Sequence, residues 1–223
     1  VCEITGEPPS WAATVQLRTP LPTLVRKVGA EGAPKKLVEV STSTPELLTL
    51  ATERLPFEDK SFDFVLCRHM LEDMVNPFPV CAEMSRVAKA GYIETPSPIA
   101  ELCRGTDGAS AAGTPWRGYH HHRFIVWEHA GELRFVSKYP VVEFVTFNEA
   151  ESVRCLTAGP KFWNTYHLWT DEIRVKHLQS PLDFDIPSQY GPLLAQAMND
   201  SARATDLFWR THAIAVTSTQ GGV

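Results

Sequence analysis

The stretch spanning residues 53–98, ERLPFEDKSFDFVLCRHMLEDMVNPFPVCAEMSRVAKAGYIETPSP, decides the fold of this chain. Phe62, Phe64 and Leu66 alternate with Asp63, Val65 and Cys67, the pattern of a short strand with at least one face in a core. Asn76-Pro77 follows the next loop, and Pro at a first helical position is pre-organised for the turn it opens. Val80, Met84 and Val87 then recur at four- and three-residue spacing, the apolar face of a helix. Gly91 reads as a break, with a second strand over residues 92–95. The order is strand, loop, helix, strand.

This unit combines LPF before an acidic turn, S-F-D-F-V, the His69-x-x-Glu72 segment and a helix ending in R-V. It resembles class I S-adenosylmethionine-dependent methyltransferases, above all their small single-domain members. The resemblance implies that these residues form the fourth strand, the following helix and the fifth strand of a seven-stranded sheet. The implied fold class is α/β and Rossmann-like, with a mostly parallel sheet, antiparallel edge strands and a C-terminal helical appendage. A methyltransferase-like domain is expected over residues 1–150, with a flexible small-residue loop at 98–118. An aromatic-rich extension packed on it is expected over residues 151–223.

The resemblance also says where a cofactor would be held: Glu3 and Gly6 on the first strand and its loop, and Ala51 and Leu55 beside the adenine. Family members follow the acidic residue with a G-x-G pattern, because backbone must approach the cofactor closely and turn with positive φ. Here only Gly6 remains, flanked by Thr5 and Glu7. A charge at Glu7 near the cofactor's carboxylate would cost on the order of 4 kcal/mol at about 4 Å and an effective dielectric near 20. The family's ribose-binding carboxylate is replaced by Arg18 or Thr19, neither of which offers paired acceptor oxygens. Its adenine-binding Asp is replaced by Ala51 or Thr52.

His69 lies at the carboxyl end of a strand, where open α/β sheets put their ligands. It is the candidate general base or substrate contact, against the plainer reading of a loop-shaping residue. Glu94 points into the same cleft, while Glu72 and Asp73 read as the solvated start of a turn. In His120-His121-His122, neighbours on a regular strand face opposite ways, so only two could share a face. No Cys or His-x-x-x-His pattern accompanies them, and the expectation is a polar strand entrance with no metal.

A chain of 223 residues supports one sizeable core rather than two. A net charge of −5 advertises no general affinity for nucleic acid, and no apolar run is long enough to cross a bilayer. Five scattered cysteines without a CxxC pair point to a reducing compartment, cytoplasm or organelle matrix, rather than a disulfide framework. Short strands are expected over residues 1–4, 13–17 and 37–40, and weak helical character over 44–52. Residues 124–127 and 133–136 predict a hairpin with a five-residue connection, and 141–147 a further strand. Phe162, Tyr166, Trp169 and Ile173 follow helical spacing, and Gly191-Pro192 opens a helix carrying Leu194, Met198 and Ala202.

An intact scaffold with weakened cofactor anchors predicts a methyltransferase-like protein that has lost S-adenosylmethionine binding. It would serve as a structural or accessory subunit, docking protein partners through its aromatic C-terminal segment. The alternative is an active methyltransferase using S-adenosylmethionine on a small-molecule or protein substrate.

Overall fold

The strand β3 (Phe62–Arg68) is buried at five of its seven positions, and its alternating side chains serve two different cores. Val65 and Cys67 face one core, whereas Phe64 and Leu66 face the other, as the period of two requires. The computed structural model describes residues 2–4, 38–40, 54–55, 57–106, 116–146, 160–178 and 186–212. The expected strand at 13–17, the helical stretch at 44–52, Gly6, Arg18 and Ala51 lie outside the described residues.

After β3 the chain enters helix α1 (Phe78–Val87), whose Val80, Cys81, Met84 and Val87 are buried as their spacing predicts. Pro77 stands at its N-cap. The chain then returns directly as β4 (Ala88–Pro96), paired parallel to β3 from Phe62↔Ala88 to Arg68↔Glu94. Gly91 is therefore not a break; it lies inside β4. A Cβ there would come within 2.6 Å of Val65 Cγ1 and its carbonyl and 2.7 Å of Trp169, so glycine is what lets the three strands close.

The main sheet has the order β2-β1-β3-β4-β7, with β1 at Cys2–Ile4, β2 at Val38–Val40 and β7 at Asn164–Thr170. Among the described residues of this sheet only β3 and β4 pair in parallel; β1 with β2, β1 with β3, and β4 with β7 are antiparallel. The α/β class holds, and among the described residues the sheet is mixed rather than mostly parallel. β7 replaces the helix expected around Tyr166 and Trp169. Thr165, His167 and Trp169 are buried in alternation, and Tyr166 turns to the other face to stack on Phe208. The three-residue step from Tyr166 to Trp169 keeps one face of a helix but puts the two side chains on opposite faces of a strand. Pairing with β4 over seven residues then decided the conformation. This part of the tail is a strand of the main sheet.

The hairpin consists of β5 (Phe124–His129) and β6 (Glu132–Ser137). Its connection is two residues, Ala130-Gly131, both at positive φ, as tight turns between right-twisted strands demand. With β8 (Val175–His177) it forms a separate three-stranded sheet of order β5-β6-β8. Phe124, Val126 and Phe135 face α1 and the main core, while Ile125, Trp127 and Val136 face the long helix α3 (Gly191–His212) through Leu194 and Ala197. The strand expected at 141–147 is a 3₁₀ turn, Pro140–Phe144. Pro140 removes a ladder donor and favours the turn.

The amino edge of β3 is closed by one side chain. Lys60 at φ 53 donates from Nζ to the carbonyls of Ser85 (2.7 Å), Ala88 (3.1 Å) and Asp171 (2.6 Å). Nearby, Arg86 bonds Glu83, Asp59 and the carbonyls of Leu55 and Phe57. Among the described residues no helix is long and apolar enough to cross a membrane.

Gly91→Ala is expected to destabilise the protein by about 1–3 kcal/mol, because the contacted carbonyl is backbone and cannot move aside. A fall in the urea midpoint at constant slope checks it.

Candidate functional site at the carboxyl edge of the sheet

The residues that gather at the carboxyl end of β3 and β4 do so because both strands end there side by side. Arg68, the last residue of β3, is in register with Glu94. Glu94 is only 5% exposed, so its charge needs compensation. Arg68 donates Nε to Oε2 at 3.0 Å and Nη2 to Oε1 at 3.1 Å. Tyr92 Oη donates to Oε2 at 2.6 Å, and Asn164 Nδ2, from β7, to Oε1 at 2.6 Å. Burial alone would raise the Glu94 carboxyl, but His69, Tyr92 and Arg68 outweigh it and hold it at about 2. Burial and the Glu94 charge in turn push the Tyr92 phenol well above its usual range, and Tyr166 to about 12.

His69 takes positive φ (49°) just beyond β3, and its backbone N–H donates to the Glu94 carbonyl at 2.8 Å. The ring is 45% exposed and stands between two carboxylates, with Nε2 3.6 Å from Glu94 Oε1 and Nδ1 3.7 Å from Glu72 Oε1. Burial lowers its pKa, but the two carboxylates outweigh that and raise it to about 9. That direction favours the imidazolium form and sets His69 as a counter-ion to Glu72 and Glu94. Its positive φ at the end of β3 fits the loop-shaping reading.

Glu72 departs from expectation. It is 1% exposed, and neither side-chain oxygen accepts a hydrogen bond among the described residues. Its carbonyl accepts from the N–H groups of Arg123 (2.7 Å) and Phe124 (3.1 Å), which staples the turn after β3 to the start of β5. Asp73, on the same turn, is the exposed member of the pair, as expected.

The staple brings the histidine run alongside. His120 to His122 form a turn before β5, where the alternation of a strand does not apply, so the rings of His121 and His122 converge with centroids 4.4 Å apart. Asp73 Oδ1 lies 3.7 Å from Nε2 of both. His122 Nδ1 is 2.5 Å from Oε1 of Glu101, which lies on the short helix α2 (Pro98–Leu102) capped by Ser97. Lys138 donates to the other Glu101 oxygen at 2.6 Å.

Residues 21–93 match the family model described as a methyltransferase domain. That segment is similar to a methyltransferase domain. The match bears out the resemblance to class I S-adenosylmethionine-dependent methyltransferases, covers about a third of the chain and ends within β4. No curated protein and no solved structure matches the chain significantly.

The matched segment contains Leu55 and His69 but does not bring them together. Leu55 N–H donates to Glu83 Oε2 (2.7 Å) and its carbonyl accepts from Arg86 (3.0 Å), so it sits at the amino edge of β3. His69 is at the other edge, about 20 Å away along a seven-residue strand at roughly 3.3 Å per residue. Glu3 lies on β1, outside the matched segment, and Gly6 and Ala51 lie outside the described residues. Glu101, His122 and Lys138 carry more of the site than the sequence indicated. The one signal available was Ser97-Pro98, a helix start that places Glu101 on the first turn of a helix rather than in a loop.

The His69 imidazole is expected to titrate near pH 9 by NMR, and Glu94→Gln to move that value down. Because the folded pKa lies above the ordinary 6.5, its contribution to stability is complete below pH 6.5 and is lost as pH rises through 9. His69→Asn, which tolerates positive φ, should flatten the stability profile over that window; an unchanged profile would overturn the ion-pair assignment.

Proposed function

We propose that this methyltransferase-like protein has lost S-adenosylmethionine binding and serves as a structural or accessory subunit of a larger assembly. The direction of β1 carries the reading. Cys2 pairs with Cys67 and Ile4 with Val65, so β1 runs from the carboxyl end of β3 towards its amino end. A cofactor held at the carboxyl edge needs the first strand to end at that edge and deliver its glycine turn there. The residues of β1 do not fit that requirement.

The state of Glu94 supports the same reading. Both of its oxygens are taken by Arg68, Tyr92 and Asn164, a carboxylate satisfied by its own protein rather than by a ligand. The aromatic tail contributes less free surface than its composition suggests, because Phe162 and Trp169 are core. Trp163 and Leu207 remain exposed, with Trp116 and Phe144 elsewhere, and large apolar side chains of this kind anchor protein interfaces.

The alternative is an active methyltransferase. It draws on one observation: His69, Glu72 and Glu94 are gathered at the edge where open α/β sheets bind ligands. Methyl transfer rests mainly on positioning, so a dedicated base is not required.

Calorimetry of the full chain with S-adenosylmethionine is expected to show no binding at micromolar strength. Native mass of the protein from its source should exceed the 24.9 kDa of one chain. Micromolar binding together with a monomeric mass would overturn the proposal in favour of the enzyme.

A further inference from the structure

We propose that Asp73, His121 and His122 form a divalent metal site of the zinc type, with Glu101 as the positioning residue behind His122. The proposal is independent of whether S-adenosylmethionine is bound. Its basis is the convergence of three ligand atoms of the right chemistry. Asp73 Oδ1 is 3.7 Å from Nε2 of His121 and 3.7 Å from Nε2 of His122, and all three atoms lie within 4.8 Å of one another. Ligand atoms about 2.0–2.1 Å from a tetrahedral zinc stand roughly 3.4 Å apart. Small rotations of the two exposed side chains, Asp73 at 41% and His121 at 55%, would close the difference.

His122 is the fixed member. Its ring is buried, and Nδ1 faces Glu101 Oε1 at 2.5 Å while Lys138 donates to Oε2. With the carboxylate as acceptor, the Nδ1 proton points to Glu101 and the lone pair of Nε2 points at Asp73 and His121. A ligating imidazole held in this way by a carboxylate has its tautomer and orientation set before the ion arrives. The support is itself built in: Lys138 Nζ also donates to the Tyr119 carbonyl at 2.7 Å, so it ties Glu101 to the histidine turn. Gly118, at φ 57, leaves room for the carboxylate, since a Cβ there would lie 2.5 Å from the Glu101 backbone and 2.6 Å from Oε2.

The Glu72 staple fixes the other half, holding the Asp73 turn against Arg123 and Phe124. Two imidazoles and one carboxylate suit zinc and its neighbours better than magnesium or calcium. Three protein ligands with an exposed side leave a coordination position open, the arrangement of sites that bind water or a substrate atom rather than closed structural sites. His120 takes no part in the ligand set.

The test uses the full chain, stripped with a chelator and titrated with Co²⁺, read by its visible absorption and by displacement with Zn²⁺. One Co²⁺ per chain is expected, with the intense bands of four- or five-coordination. His121→Ala and Asp73→Asn alter exposed side chains and should each weaken binding by roughly 100-fold or more. Glu101→Gln should weaken it by about 10–100-fold, and His120→Ala should leave it unchanged. Circular dichroism of each variant establishes that the fold persists. Failure of the wild type to bind stoichiometric Co²⁺, or equal binding by His121→Ala and Asp73→Asn, would overturn the proposal and assign the cluster to proton sharing among its imidazoles.

Discussion

Glu94 is a charge that the middle of this protein has to neutralise. It stands near the end of β4, and its partners arrive from different parts of the chain: Arg68 from β3, Tyr92 from two residues earlier, Asn164 from the neighbouring β7, His69 from the loop. A buried carboxylate without partners costs several kcal/mol, so all of these elements must be in place for any of them to be stable together. The direction of β7 follows from this requirement as well as from its ladder with β4, because only an antiparallel strand in this register delivers Asn164 to the carboxyl edge. The polar network fixes the register of the sheet, and the apolar cores on its two faces supply most of the driving force.

The two faces are unequal. On one, α1 and the β5–β6 hairpin enclose Val65, Cys67, Met84 and Phe135. On the other, Phe64, Leu66 and Tyr92 meet Tyr166 and Phe208. The hairpin is shared, since its even and odd residues look into different cores, and α3 closes the far side of it. Ionisable groups are thereby pushed to the ends of the strands. At the amino edge Lys60 and Arg86 satisfy carbonyls and carboxylates; at the carboxyl edge four acidic side chains, Glu72, Asp73, Glu94 and Glu101, meet three histidines.

The strand, helix and strand at the centre were legible from sequence because they are local. Alternation over 62–67 and helical spacing over 80–87 each report the surroundings of their own segment. Gly91 was misread because a glycine that ends a strand and one that admits a neighbouring tryptophan look alike until the neighbour is known. Tyr166 and Trp169 were misread because their spacing suits a helix, while β4 offered seven residues of pairing from 68 to 80 positions away. At the site, His69 and Glu94 were legible from their places at strand ends. The burial of Glu72 and the Glu101–His122 contact depend on a turn being stapled to a distant loop, and no local pattern encodes that.

Lys60 has a consequence for the order in which the protein is completed. Its ammonium joins the end of α1, the start of β4 and the turn after β7, and the last of these lies 111 residues further along the chain. The first two bonds are available as soon as the central unit forms; the third waits until residue 171 has been synthesised and β7 has docked. Contacts of such long sequence separation form late, since the intervening loop must close before they return any energy. The β4 edge therefore stays unpaired until β7 docks on it, and the Lys60 bond to Asp171 forms with that docking, before β8 and α3 complete the chain.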